Sequence, residues 1–217
     1  TQSIQEQILT ARKEIEEYEE KRIELQAKLN PLEMILLPAI KVRIGTSDPT
    51  HEDENPEHQV DISAFYMDKT EVTNLQYKEF VAVTGHRSPS HWRFNTFPDA
   101  RKADHPIVNV SWEDAKAYVD WVGKRLPTEA EWERGALGDG RNEYPWGASC
   151  HEDWANFNNA DGGTTPVEQY VRGVSPVGIW DMVGNVSEWV NDWYDSKYYR
   201  DSPDADPKGP EGGHQKV

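Results

Sequence analysis

The stretch Gly178-Ile-Trp-Asp-Met-Val-Gly-Asn-Val-Ser-Glu-Trp-Val190 decides how this chain is to be read. It closes a region, residues 138–178, that is rich in Gly, Asn, Asp and Trp and shows few regular elements. A connection of that length lies far beyond ordinary loops. A compact domain tolerates it only where something pins it, and aromatic plugs or bound cations are both available here. Asn185 and Glu188 place two side-chain oxygens within one tight turn. All nine Trp residues fall between positions 92 and 193, which predicts a core built largely on Trp.

Composition sets the outer limits. The chain has 217 residues, room for one sizeable domain with an appendage. With 23 Lys and Arg against 39 Asp and Glu, the formal charge is −16. That balance argues against nucleic-acid binding, which rests on clustered basic residues, and against docking on an anionic membrane. No apolar run approaches the roughly 18 residues of a membrane span. A hydrophobic content of 36% and a mean hydropathy of −0.86 would by themselves point to disorder. Nine Trp, nine Tyr and five Phe argue the other way. The lone Cys150 permits neither an internal disulfide nor a thiolate zinc site.

Residues 1–30 contain no Gly, Pro or Trp. Ile4, Ile8, Ala11, Ile15, Tyr18, Leu25 and Leu29 trace a heptad seam, interrupted at Arg22. Ser3 with Glu6 supplies a capping box, and Asn30-Pro31 a stop. The expectation is an N-terminal coiled-coil-type α-helix that self-associates, binds a protein partner, or packs on its own domain, because a lone helix of this length is marginal. A separate domain over 31–217 follows. Short strands are expected at Met34 to Leu37, Ile40 to Ile44 and His58 to Met67, around an acidic loop at 46–56. Three capped helices open at Thr73-x-x-Gln76, Ser111-x-x-Asp114 and Thr128-x-x-Glu131. The last places carboxylates in a first helical turn, where the helix dipole favours them. Residues 202–213 read as surface loop.

Several segments stand in a fixed order: Phe65-Tyr-Met-Asp-Lys-Thr-Glu-Val-Thr-Asn74, His105-Pro-Ile-Val-Asn-Val-Ser-Trp112 and Arg125-Leu-Pro-Thr-Glu-Ala-Glu-Trp-Glu133. Tyr144-Pro-Trp-Gly147, Ala155-Asn-Phe157, Thr165-Pro-Val167, the 178–190 stretch and Asp192-Trp-Tyr194 follow. From about Met34 onward the chain closely resembles the formylglycine-generating, or sulfatase-modifying-factor, family. The resemblance implies an α+β, C-type-lectin-like fold with few regular elements and long loops pinned by structural calcium. Catalytic members oxidise a sulfatase cysteine to formylglycine with O₂, using copper held by a cysteine pair, as soft thiolates select Cu(I). Those cysteines follow an Arg-Gly-Gly-Ser-like segment, and this chain ends at His214-Gln-Lys-Val217, where that segment would begin. Cys150 matches neither of them, so no catalytic residue carries over.

The resemblance also assigns candidate calcium ligands. One set is Gly184, Asn185, Val186 and Glu188, combining side-chain oxygens with intervening carbonyls for an ion that takes six to eight hard oxygens. The alternative is that Asn185 caps a turn and Glu188 pairs with an Arg. A second set is Asn156, the backbone of Phe157, and Asp161, against an ordinary Asx-turn loop. The histidines form no His-x-x-x-His pair, so a zinc or iron centre is poorly supported.

The first functional reading is a calcium-stabilised binding or scaffold module, without the catalytic cysteine pair, assembled through its N-terminal helix. The alternative is the N-terminal portion of a copper-dependent formylglycine-generating oxidoreductase, copper entering only with an added cysteine pair. An iron-dependent sulfoxide synthase is weaker, since those enzymes draw metal-binding histidines from an added helical bundle. Calcium dependence favours an extracytoplasmic location.

Overall fold

The computed structural model describes residues 33–97, 99–139, 142–157 and 162–217. The heptad helix expected over 1–30 and the candidate ligand Asp161 lie outside the described residues.

Four short strands form one antiparallel ribbon with a break. Strand β1 (Met34–Leu37) pairs with β4 (Phe65–Asp68), and β2 (Ile40–Ile44) with β3 (His58–Ile62). Met34 faces Asp68, Leu37 faces Phe65, Ile40 faces Ile62 and Ile44 faces His58, so both pairs share one register. The single strand expected from His58 to Met67 is therefore split at Ser63 and Ala64. Pro38, opposite the break, has no N–H to give a ladder. On the other arm, Asp206 captures Ser63 through its N–H and its hydroxyl, both at 2.7 Å. Alternation sets the faces: Val42, Ile44, Val60 and Ile62 are buried, while Lys41, Arg43, Gln59 and Asp61 lie on the other side.

Three helices follow, α1 (Asn74–Thr84), α2 (Trp112–Trp121) and α3 (Glu129–Leu137), and each opens with a complete capping box on Thr73, Ser111 or Thr128. Reciprocal side-chain bonds satisfy orphan donors at each start, as the three sequence signatures required. Gly85 ends α1 at φ 71°, a left-handed geometry that glycine adopts without a Cβ penalty. A last short helix, α4 (Tyr198–Asp201), precedes the irregular tail.

The core falls into three clusters. One joins the β2–β3 ribbon to Ala130 and Tyr199, and a second joins Tyr77, Phe80, Val81, Trp92 and Tyr118 between α1 and α2. The third gathers Leu37, Ala136, Ile179 and Met182. Tyr77, Phe80 and Val81 define the inner face of α1, and Leu75 beside them is 46% exposed. The Trp-built core is corrected. Trp92 alone among the Trp residues is fully buried. Most of the others are half-buried, several with the indole N–H bonded to backbone, so they act as staples across loops.

Candidate functional site

The 184–188 turn is held from several sides. Its backbone enters at Gly184 with φ 83°, and a Cβ there would stand 2.2 Å from the Asn156 carbonyl oxygen. Only glycine fits that approach. Asn185 follows in the left-handed region at φ 55°, its N–H donating to the same Asn156 carbonyl at 2.7 Å. The two loops read separately in sequence are thus joined through backbone.

The Asn185 side chain brackets three segments. Its Oδ1 accepts from the Thr165 N–H at 2.9 Å and from the Thr165 hydroxyl and Asn156 Nδ2, each at 3.3 Å. Its Nδ2 donates to Glu71 Oε2 at 2.9 Å and to the Thr165 carbonyl at 3.3 Å. Asn156, itself buried, donates to the Gly163 carbonyl at 2.7 Å. Glu188 Oε2 accepts from the indole N–H of Trp132 at 2.6 Å, so its partner is an indole and not an Arg. A crosswise stitch completes the frame: Trp112 donates to the Val190 carbonyl at 2.8 Å and Trp189 to the Val110 carbonyl at 3.0 Å.

Negative charge gathers behind this turn. Burial raises Glu71 to about 9, and the charges of Glu188 and Asp181 add to the shift against the bonds from Asn185 and Val186. Burial, with Asp181 adding, raises Glu188 to about 7 despite the Trp132 bond. Asp181 is raised by burial as well, and the Glu168 N–H it accepts at 3.2 Å only partly offsets this. These carboxylates feel one another without converging: among the described residues no three His, Cys, Asp or Glu side chains form a metal-holding group. Oxygen donors near the turn also include backbone carbonyls, which such a group does not count.

The structure places Asn156, Phe157, Gly184, Asn185, Val186 and Glu188 in one neighbourhood, with the Phe157 nitrogen 3.2 Å from where a Gly184 Cβ would stand. It adds three residues the sequence reading passed over: Glu71, Thr165 and Asp181. Asp181 sits three positions before Gly184 in the stretch that opened the sequence reading, and Glu71 sits in the Phe65 to Asn74 segment, so both were in view. What sequence cannot display is that these carboxylates share one low-dielectric space.

Residues 19–217 match the family described as sulfatase-modifying factor enzyme 1-like domain. The chain belongs to this family. The match begins inside the segment read as an N-terminal helix. Formylglycine-generating enzyme of Bos taurus is 32% identical over an aligned length of 242 positions, gaps included, covering 86% of this chain and 64% of that protein. The chain thus spans less than two thirds of that relative's length. Inactive C-alpha-formylglycine-generating enzyme 2 of Bos taurus is 31% identical, over 74% of this chain and 71% of that protein. Among solved structures, Treponema denticola variable protein 1 superposes with a TM-score of 0.67 at 24% identity, covering 85% of this chain and 81% of that one. That likeness concerns the fold alone, a mixed α/β architecture with few regular elements. No described helix is long and apolar enough to cross a membrane.

Proposed function

We propose that this chain is a calcium-stabilised binding or scaffold module of the sulfatase-modifying family, with no catalytic cysteine pair of its own. The observation that carries the reading is the pinning of the 184–188 turn to Asn156 and Thr165 in front of Asp181, Glu188 and Glu71. A buried group of carboxylates that raise one another is uncompensated, and a divalent cation supplies the missing charge. In this reading Asp181 and Glu188 offer carboxylate oxygens and Gly184 and Val186 offer carbonyls. Asn185 holds the turn, since its Oδ1 already accepts protein hydrogen bonds. Asn156, the Phe157 backbone and Asp161 belong to the second calcium loop. The chemistry of the donors fits a hard cation, because every one is an oxygen.

The module has two parts, an amphipathic segment over 1–30 that assembles with a protein partner or a second copy, and the domain over 31–217. An extracytoplasmic setting suits calcium dependence. The bovine relative named inactive C-alpha-formylglycine-generating enzyme 2 supports a non-catalytic use of this fold. The second reading, part of a copper-dependent formylglycine-generating oxidoreductase, is favoured by the 32% identity to the bovine enzyme. In that case the copper thiolates come from elsewhere, because Cys150 is the one cysteine here. Calcium titration of metal-free protein separates the module reading from a metal-independent fold. Assay of sulfatase-peptide cysteine oxidation by a protein that joins this chain to a cysteine pair tests the second reading, which requires turnover there and none by this chain alone.

A further inference from the structure

The turn at residues 93–96, between α1 and α2, carries a side chain that the fold does not use. Backbone bonds close it in both directions, from the Arg93 N–H to the Thr96 carbonyl at 3.0 Å and from the Thr96 N–H to the Arg93 carbonyl at 3.1 Å. Its two central residues, Phe94 and Asn95, lie at φ 53° and 57°. Positive φ at both positions is the type I′ pattern, which Asn, Asp and Gly fill with least strain. Asn95 is such a residue, and its Oδ1 accepts the Ser88 hydroxyl at 3.2 Å. Phe94 is not, because a bulky side chain in that region is a genuine outlier. It is also 100% exposed, the most exposed large apolar side chain among the described residues.

The turn stands on a firm base. Trp92 is buried against Tyr77 and Phe97, with ring centroids 6.1 and 5.7 Å away, and its N–H donates to the Pro89 carbonyl at 2.9 Å. Charge around the turn is opposite to that of the chain as a whole. Residues 86–102 hold four Lys or Arg and one Asp, a net +3 in a chain of −16. Burial, and then the charge of Lys102, lower His91, which sets Lys102 near the stem. Arg101 is taken by Asp99 through two side-chain bonds. Arg87, Arg93 and Lys102 form no ion pair among the described residues.

Strain at Phe94 with no burial in return points outside the molecule. We propose that the 93–96 turn is a docking tip: Phe94 enters an apolar recess on a partner polypeptide, and carboxylates on the rim of that recess pair with Arg87, Arg93 and Lys102. Shape and charge together select this occupant. A side chain projecting from a turn fits a concave site, where only the tip is met. A bilayer or a nucleic-acid backbone would also meet the acidic remainder of the surface and be repelled by it. One aromatic side chain is too little to hold a membrane, and three free cations fall short of the clusters of about four to eight that recognise anionic lipid. Within a recess only nearby charges act, because those beyond about 8–10 Å are screened at physiological salt. An aromatic anchor beside arginine is also the composition of interface hot spots. The inference deepens the binding-module reading and needs no calcium, so the calcium melt and the test below fail separately.

The test uses the 217-residue protein with its Phe94→Asn and Arg93→Gln variants. In urea, Phe94→Asn should unfold at an equal or higher midpoint, since it relaxes the turn and gives up no burial. A lower midpoint would make Phe94 part of the fold and overturn the proposal. A phage-displayed library of random dodecapeptides is then selected on the unmodified protein. The expected peptides combine apolar residues with Asp and Glu, and they bind Phe94→Asn at least about tenfold more weakly, the scale of a lost aromatic anchor. Arg93→Gln and added salt should each weaken the same peptides several-fold. No selected peptide, or peptides indifferent to both substitutions, overturns the proposal. Phe94-dependent binding to phosphatidylserine vesicles would assign the tip to a membrane, and Phe94-dependent self-association in sedimentation would assign it to a second copy of the chain. Either result overturns the proposal as well.

Discussion

Asn185 Nδ2 donates to Glu71 Oε2 at 2.9 Å, across 114 residues of sequence. The segment leading into α1 is thereby fixed to the turn that carries the candidate calcium ligands, and Thr165 and Asn156 are gathered onto the same side chain. In the described parts of the long irregular region, buried polar side chains satisfy backbone groups that no helix or ladder takes up.

Asn185→Ala should therefore destabilise the fold by about 2–4 kcal/mol, because it strands the Thr165 N–H and the Glu71 carboxylate in a buried place. Gly184→Ala should cost at least as much, since its Cβ meets a backbone carbonyl that has no room to move. Urea denaturation of both variants checks this. A loss below about 0.5 kcal/mol in either would remove the bracket from the account.

A second acidic group gives the pH dependence. Burial raises Glu133 to about 8, Glu129 to about 7 and Asp192 to about 6, and like charges add to each shift. Glu133 accepts the Gly45 N–H at 3.2 Å, and Asp192 accepts the Glu129 N–H at 3.0 Å. Raised carboxylates bind more protons in the folded state than in the unfolded one. Their contribution is fully present below the ordinary carboxylate pKa near 4.5 and is lost as pH rises toward about 8. Stability should fall by roughly 1–3 kcal/mol across that window. Glu133→Gln, which keeps an oxygen for Gly45, should flatten the profile. A profile that rises from pH 5 to 8 in the unmodified protein would contradict the account.

The ribbon, the helix caps and the family signature were legible because they depend on neighbours in sequence: alternation at Val42, Ile44, Val60 and Ile62, and Ser or Thr three positions before an acid or Gln. The break at Ser63 was hidden because its cause, Asp206, lies 143 positions away. The Trp residues misled for a related reason. Side-chain type reports the tendency to be buried, whereas which helix face turns inward, and whether an indole N–H needs an edge near backbone, depends on tertiary packing. At the site, Asn185 and Glu188 stood out by type. Glu71 and Asp181 did not, because a carboxylate's unusual environment is a property of the assembled fold.

Cys150 is exposed. Ellman reagent should titrate one thiol per chain in the native protein, and Cys150→Ser should melt within about 0.5 kcal/mol of the unmodified chain, as surface substitutions do. Copper(I) should find no tight two-thiolate site within one chain. Stoichiometric high-affinity copper that disappears in Cys150→Ser would instead require a site shared between two chains.

The heptad seam is tested by changing Ile8 and Ile15 to Asp. Each buried apolar side chain is worth roughly 1.5–3 kcal/mol, so assembly through residues 1–30 should be lost in sedimentation. Near-ultraviolet circular dichroism from the Trp residues should stay unchanged. Loss of that signal would show that the segment packs on its own domain.

The central claim is that calcium completes the 184–188 site, and its most direct test is the melting temperature of metal-free protein against added calcium. A ligand that binds only the folded state stabilises it by about 2.7 kcal/mol at a hundred times its Kd. Melting should rise with calcium, not with an equal ionic strength of sodium, and Asp181→Asn with Glu188→Gln should remove most of the rise. A melting temperature indifferent to calcium, in protein verified free of metal at the start, would contradict the account.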